Sequence, residues 1–220
     1  MRRKVFEPSK KDQWYQNAVV GGSWTKDWLY VAGYKEAADV LVNYTTSLNV
    51  VPDYLFYPIC FNYRHALELT LKELIRDTEK LIQLSIQCGS LNEGEVEAAQ
   101  MENNEDYLCG THSMESLFNR LTDRLRLVCD QTLPDDIRYT VIELHNIDPD
   151  GQVFRYARAK HTQRNLSKQQ CYNLLRIRDM MGSTVAFLAD GLGGWLDAEI
   201  SNAQDYLDEF EDEFGNCLDS

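Results

Sequence analysis

The chain has no long apolar run, no Cys-x-x-Cys pair, no basic residue in its last thirty positions, and only five prolines and four histidines among 220 residues. Each shortage removes a class of protein. Charge breaks every apolar window within a few residues, and Met1-Arg2-Arg3-Lys4 runs into Glu7-Pro8-Ser9-Lys10-Lys11 without an apolar signal core, so neither a membrane span nor a secretory leader is expected. We therefore read the chain as cytoplasmic, with no membrane partner. The six cysteines (60, 88, 109, 129, 171 and 217) are scattered and no histidine stands at metal-ligand spacing, which predicts reduced structural thiols, no metal and no cofactor. The phosphate-cradling Gly-x-x-x-x-Gly-Lys loop, the Gly-x-Ser-x-Gly elbow and His-Glu-x-x-His are all missing, so nucleotide hydrolysis, esterase and zinc-protease chemistry lose their usual support. Gly191-Leu192-Gly193-Gly194 has no strand before it and reads as a helix interruption or terminator.

What is present describes one helical domain. A 44% hydrophobic, 26% charged chain of this length buries a core without staples. The net charge of −13 is uneven: residues 191–220 hold nine acids and no base, leaving the other 190 residues at only −4. Residues 151–180 hold seven bases against Asp179 alone, a local patch able to attract phosphate. Helical spacing of apolar residues predicts a first helix over 26–46 and a second from Pro58, suited to a first turn, to about Gln87 before Gly89. Residues 89–110 are acidic and poor in large apolar groups, and are expected to form an exposed insertion. A third helix should follow a Ser113 cap with its stripe through Val128, and a fourth should run from Pro134-Asp135-Asp136 to near Asn146. Val153–Ala157 has strand-like composition, suggesting a short extended segment or small hairpin near residues 150–158. Ser167-Lys168-Gln169-Gln170 reads as a capping box opening a long last helix, after which the acidic tail adds at most a turn or two. The expected division is an N-terminal arm over 1–25, an all-α domain over 26–200 and an acidic tail over 201–220.

The second helix carries the anomaly. At about 100° per residue, Arg64, His65, Glu68 and Lys72 fall within an arc of roughly 100°, interleaved with Phe61, Leu69, Leu71 and Ile75. An amphipathic helix keeps charge on its wet face. Charges inside the apolar stripe demand a paired internal network or a polar pocket, because an unpartnered buried charge costs several kcal/mol. His65 or His112, beside Arg64, Lys72 and Arg155, supplies the minimum for metal-independent cleavage of RNA by its own 2′-hydroxyl. Equally, Glu68 can pair with Arg64 and Lys72 four residues either side, with His112 and Arg155 completing an inert network.

The ordered set Gly33-Tyr34-Lys35-Glu36-Ala37-Ala38-Asp39, Tyr57-Pro58, Tyr63-Arg64-His65-Ala66-Leu67-Glu68-Leu69-Thr70-Leu71-Lys72, Gly110-Thr111-His112-Ser113-Met114-Glu115-Ser116-Leu117, Asp148-Pro149 and Phe154-Arg155-Tyr156 resembles bacterial HEPN-like proteins over roughly residues 28–190. The resemblance implies a HEPN-like helical bundle, often dimeric. It further implies either a metal-independent ribonuclease of a defence or toxin-type system or a non-catalytic partner in a multiprotein complex. On this reading Arg64, His65, Glu68 and His112 are the catalytic candidates, and Lys72, Arg155 and Arg158 the phosphate or RNA contacts. The family's catalytic signature places His four to six residues beyond Arg, which the adjacent Arg64 and His65 do not satisfy. Arg138 and His145, bracketing six residues on one face of the fourth helix, form the second-choice catalytic pair, although Tyr139 follows Arg138 where the family favours a polar residue. Arg155 and His161 bracket five.

Overall fold

The computed structural model describes residues 27–47, 53–99, 105–157 and 168–218, together with 15, 17, 18, 20 and 166. The long helices follow the sequence pattern closely. Helix α1 spans Asp27–Ser47 and α2 spans Phe56–Gln87, with Pro58 in the first turn, where no intrahelical partner waits for the N–H it lacks. Thirty-two residues make α2 about 48 Å long, and it is the axis of the molecule. Ile59, Tyr63, Ala66, Leu67, Leu71, Leu74, Ile75 and Ile82 are buried along it, because α1, α5 (Met114–Leu125), α7 (Leu174–Ala186) and α8 (Gly193–Leu218) all pack against it. At its end Gly89 takes φ +68, letting Ser90 N–H reach back to the Ser85 carbonyl at 2.9 Å, so the helix stops where the glycine predicts.

The acidic segment after α2 departs from the expected exposed insertion. It folds into α3 (Glu93–Ala99) and α4 (Glu105–Gly110), with Ala99 and Leu108 buried. A reciprocal box opens α3: Glu95 N–H donates to Asn92 Oδ1 at 3.0 Å and Asn92 N–H to Glu95 Oε2 at 2.8 Å. Its C-terminus is fastened by Arg124, which donates to the Ala98 and Ala99 carbonyls at 3.0 and 3.1 Å while gripping both oxygens of Glu79 at 2.6 and 2.7 Å. One long-range arginine thus does what a large apolar stripe would otherwise do.

Helix α5 (Met114–Leu125) begins at Ser113 as expected, the Ser116 N–H donating to Ser113 Oγ at 3.2 Å, and buries Met114, Leu117, Phe118, Leu121 and Leu125. It ends three residues short of Val128, whose N–H closes a tight turn onto the Leu125 carbonyl. Helix α6 is Asp135–Ile147. The strand-like composition of residues 153–157 was misleading: this piece is a compact turn, and the described residues contain no strand. Asp148 explains it, since its Oδ1 accepts the Val153 N–H at 2.9 Å and folds the chain back on itself.

Helix α7 starts at Leu174 rather than at the expected capping box. Residues 168–173 are not helical, Ser167 lies outside the described residues, and Asn173 is the cap, its Oδ1 accepting the Arg176 N–H at 3.1 Å. Beyond Ala186 the backbone passes through a π-helical turn, Phe187–Leu192, directly into α8 (Gly193–Leu218). The glycines interrupt the α-helical register but do not end the helix, and the acidic tail is helical through Leu218 rather than for one or two turns. Among the described residues no helix is long and apolar enough to cross a membrane.

Candidate functional site

The i, i+4 spacing on α2 closes a buried ladder. Arg64 Nη1 meets Glu68 Oε2 at 2.7 Å, Lys72 Nζ meets Glu68 Oε1 at 2.9 Å, and Arg64, Glu68 and Lys72 are 3, 4 and 8% exposed. The rest of the cluster arrives from distant sequence. Arg64 Nε is 3.1 Å from Oδ2 of the fully buried Asp148, beyond the end of α6, and Arg64 Nη2 donates to the His112 carbonyl at 2.6 Å. One guanidinium therefore binds α2 to the start of α5 and to the turn after α6.

His112 stands at the cluster's open edge. Its side chain is 48% exposed, with Nδ1 2.8 Å from Glu68 Oε1. A carboxylate only accepts, so Nδ1 carries the proton and Nε2 presents its lone pair in the neutral ring. Burial pushes the Glu68 carboxyl upward, but hydrogen bonds from Lys72 and His112 and the charges of Lys72 and Arg64 outweigh it, so Glu68 ionises below the usual range.

Sequence adjacency did not bring His65 to this carboxylate. Its ring sits between α1 and α2, edge-on to Tyr34 at 4.4 Å and stacked on Phe61 at 5.6 Å. Burial holds its pKa below the ordinary value; Glu68 pulls upward, while Arg155, Arg64 and Lys72 push down. Arg155 is exposed, its Nε donating to the Gly151 carbonyl and its guanidinium lying 6.0 Å from the Phe61 and Tyr156 ring centres. Arg158 and His161 lie outside the described residues. Arg138 is exposed on α6, whereas His145 Nε2 turns to Glu115 Oε2 on α5 at 3.4 Å; no described bond joins that pair.

Sequence reasoning missed Gly151 as a site residue. Its φ is +74, and a Cβ there would lie 2.9 Å from Arg64 Nη1 and 3.0 Å from Arg155 Nη2. The two guanidiniums converge over the one residue with no side chain. The Asp148-Pro149-Asp150-Gly151 turn signal was visible, but not what stood above it. Gly151→Ala is expected to cost about 1–2 kcal/mol from left-handed backbone alone, and more because the Arg64 guanidinium is held by three partners and must yield. Urea unfolding measures it.

The pKa directions fix a pH dependence. Both Glu68 and His65 bind a proton less readily folded than unfolded, so each contributes stability above its ordinary value, 4.5 and 6.5 respectively, that is lost as pH falls through its lowered folded value. The urea midpoint should therefore fall first below pH 6.5 through His65 and again below pH 4.5 through Glu68. His65→Phe should remove the first decline and leave the second.

Chemically, the cluster holds three cations (Arg64, Lys72, Arg155) against two carboxylates (Glu68, Asp148), with one oriented, solvent-facing imidazole. No family model, curated protein or solved structure matches the chain.

Proposed function

We propose that this all-α protein is a HEPN-type ribonuclease that cleaves RNA without metal, with His112 as the proton-transfer group. The observation that carries the reading is the half-exposed imidazole whose Nδ1 is fixed by a buried carboxylate, the arrangement that orients a general base. Nε2 of His112 takes the proton of a 2′-hydroxyl, and that oxygen attacks the adjacent phosphorus. The bond to the 5′-oxygen breaks, the leaving oxygen takes a proton from water, and a 2′,3′-cyclic phosphate and a 5′-hydroxyl result. Arg155, exposed beside the cluster, neutralises the phosphate. Arg64 and Lys72, enclosed and engaged with Glu68, take the role of positioning residues rather than phosphate contacts. The resemblance to defence and toxin-type proteins supplies the proposed setting, a bacterial cytoplasm. Incubating the isolated chain with single-stranded RNA in excess chelator and analysing the ends tests it: cyclic-phosphate ends are expected, and intact RNA would refute it.

A second reading, a non-catalytic partner in a defence complex, is favoured by α8. Tyr206 and Phe210 are 53 and 49% exposed there, amid Asp205, Asp208, Glu209 and Glu211. Such a surface suits a basic partner with apolar pockets. Inert RNA together with a salt-sensitive complex lost on removing residues 205–220 would select this reading over the first.

A further inference from the structure

Between α2, α6 and α7 the packing leaves a cavity of about 460 Å³ that the Glu68 cluster does not use. Apolar residues recur at helical spacing on its walls, Leu144 and Ile147 on α6 and Ile177 and Met181 on α7, with Phe56 and Cys60 of α2 as the floor. One side is a wall of rings: Tyr172 is stacked on Phe56 at 4.9 Å, and Phe154 stands edge-on to Phe56 at 6.0 Å. The volume and lining are those of a small-molecule site, and far exceed the voids left by ordinary core packing.

The rim carries two charges, one from each helix. Glu143 on α6 and Arg176 on α7 are both exposed and both line the cavity. Among the described residues neither side chain has a hydrogen-bond or ion-pair partner, so they are not joined to each other across the mouth. Arg176 stands in the first turn of α7, which holds no acid, and Glu143 stands one turn before the end of α6. The pole of each helix therefore has the sign of the charge beside it.

We infer that this cavity binds a free α-amino acid with an apolar side chain, aromatic in preference to aliphatic. Such a ligand joins a cation, an anion and an apolar body at one carbon, which is the combination that the rim and the interior present. Its ammonium donates to the Glu143 carboxylate, the Arg176 guanidinium donates to its carboxylate, and its side chain lies among Ile177, Met181 and the rings. An acid alone would bring its carboxylate towards Glu143, and an amine alone would bring its ammonium towards Arg176, each without the compensating partner. The cavity floor at Cys60 is one turn of α2 away from Arg64, so this site is separate from the Glu68 cluster and independent of the RNA reading.

Calorimetric titration of the full chain with L-phenylalanine tests the inference, alongside phenylpropionate, which lacks the ammonium, and phenethylamine, which lacks the carboxylate. Saturable one-to-one binding of L-phenylalanine is expected, about tenfold or more tighter than that of either truncated probe, because each forfeits a charge-assisted hydrogen bond. Glycine, with both charges and no apolar body, should give no saturable heat. Glu143→Gln should weaken L-phenylalanine by about tenfold without weakening phenylpropionate, and Arg176→Gln should weaken it by a similar factor without weakening phenethylamine. Both side chains are exposed, so both variants should keep the urea midpoint of the parent chain. Absence of saturable L-phenylalanine binding, as when the cavity is closed by the protein's own chain, would overturn the inference. So would a truncated probe that binds as tightly as L-phenylalanine, or variants that weaken all three probes alike.

Discussion

Glu68→Ala is expected to lower folding stability by about 3–5 kcal/mol, the usual consequence of removing one partner from a buried charge network. Glu68 is the node that Arg64, Lys72 and His112 share, and its loss leaves the buried Arg64 and Lys72 without their common carboxylate. Arg64 retains Asp148 and the His112 carbonyl, so it remains partly compensated. Lys72 Nζ loses its Glu68 contact outright. Lys72→Met should cost much less, about 1 kcal/mol, because Glu68 then still holds Arg64 and His112. Glu68→Gln separates charge from shape: it retains one accepting oxygen and should fall between Glu68→Ala and the parent chain. Urea unfolding of the three variants gives the order directly. A Glu68→Ala cost below that of Lys72→Met would mean that the carboxylate is solvated and screened rather than the centre of the network.

The second large effect concerns chemistry. If His112 transfers the proton, His112→Ala should reduce RNA cleavage by about 10²–10⁴-fold, the range for loss of a positioned general base. The His112 side chain is half exposed, so the variant should remain folded, giving up one hydrogen bond to Glu68. His65→Phe separates the two histidines: its ring is packed between Tyr34 and Phe61, a slot that phenylalanine fills, and cleavage should persist. Glu68→Gln should lower the rate with little change in KM, because it acts through the orientation of the imidazole. Full activity in His112→Ala would end the assignment, and lost activity in His65→Phe with a normal unfolding curve would transfer it.

The elements most legible in the sequence were those whose information is periodic. Apolar spacing placed α1 and α2 to within a few residues, and Ser113 and Gly89 marked a start and a stop that the backbone observes. The Arg64, Glu68 and Lys72 ladder was legible for the same reason, since four residues are one turn. His65 stands apart from that ladder because adjacency along the chain is a large rotation around a helix, and that rotation carries its ring towards α1. Ser167–Gln170 misled because a capping pattern states what a start would look like, while Asn173 supplied a competing cap closer to the buried Leu174. Asp148 and Arg124 act across 84 and 45 residues of chain, and no local pattern encodes a partner at that distance. Gly151 belongs with them, because its lack of a side chain matters only once two arginines from elsewhere arrive above it.

The π-helical turn at Phe187–Leu192 sets the angular phase of everything after it. An extra residue in a helix rotates the downstream segment by roughly 100°, and here that rotation aims Leu196 and Ile200, both buried, at the body of the bundle. Deleting one residue from the turn would restore an ordinary α-helix, yet would carry those two side chains to the half-buried places of Trp195 and Glu199 and turn Asp197 towards the core. The wider coil is thus a phase shifter: α7 and α8 are one continuous shaft that lies against α2 on both sides of the loosened turn, and the tail's heading in space is set at that single turn.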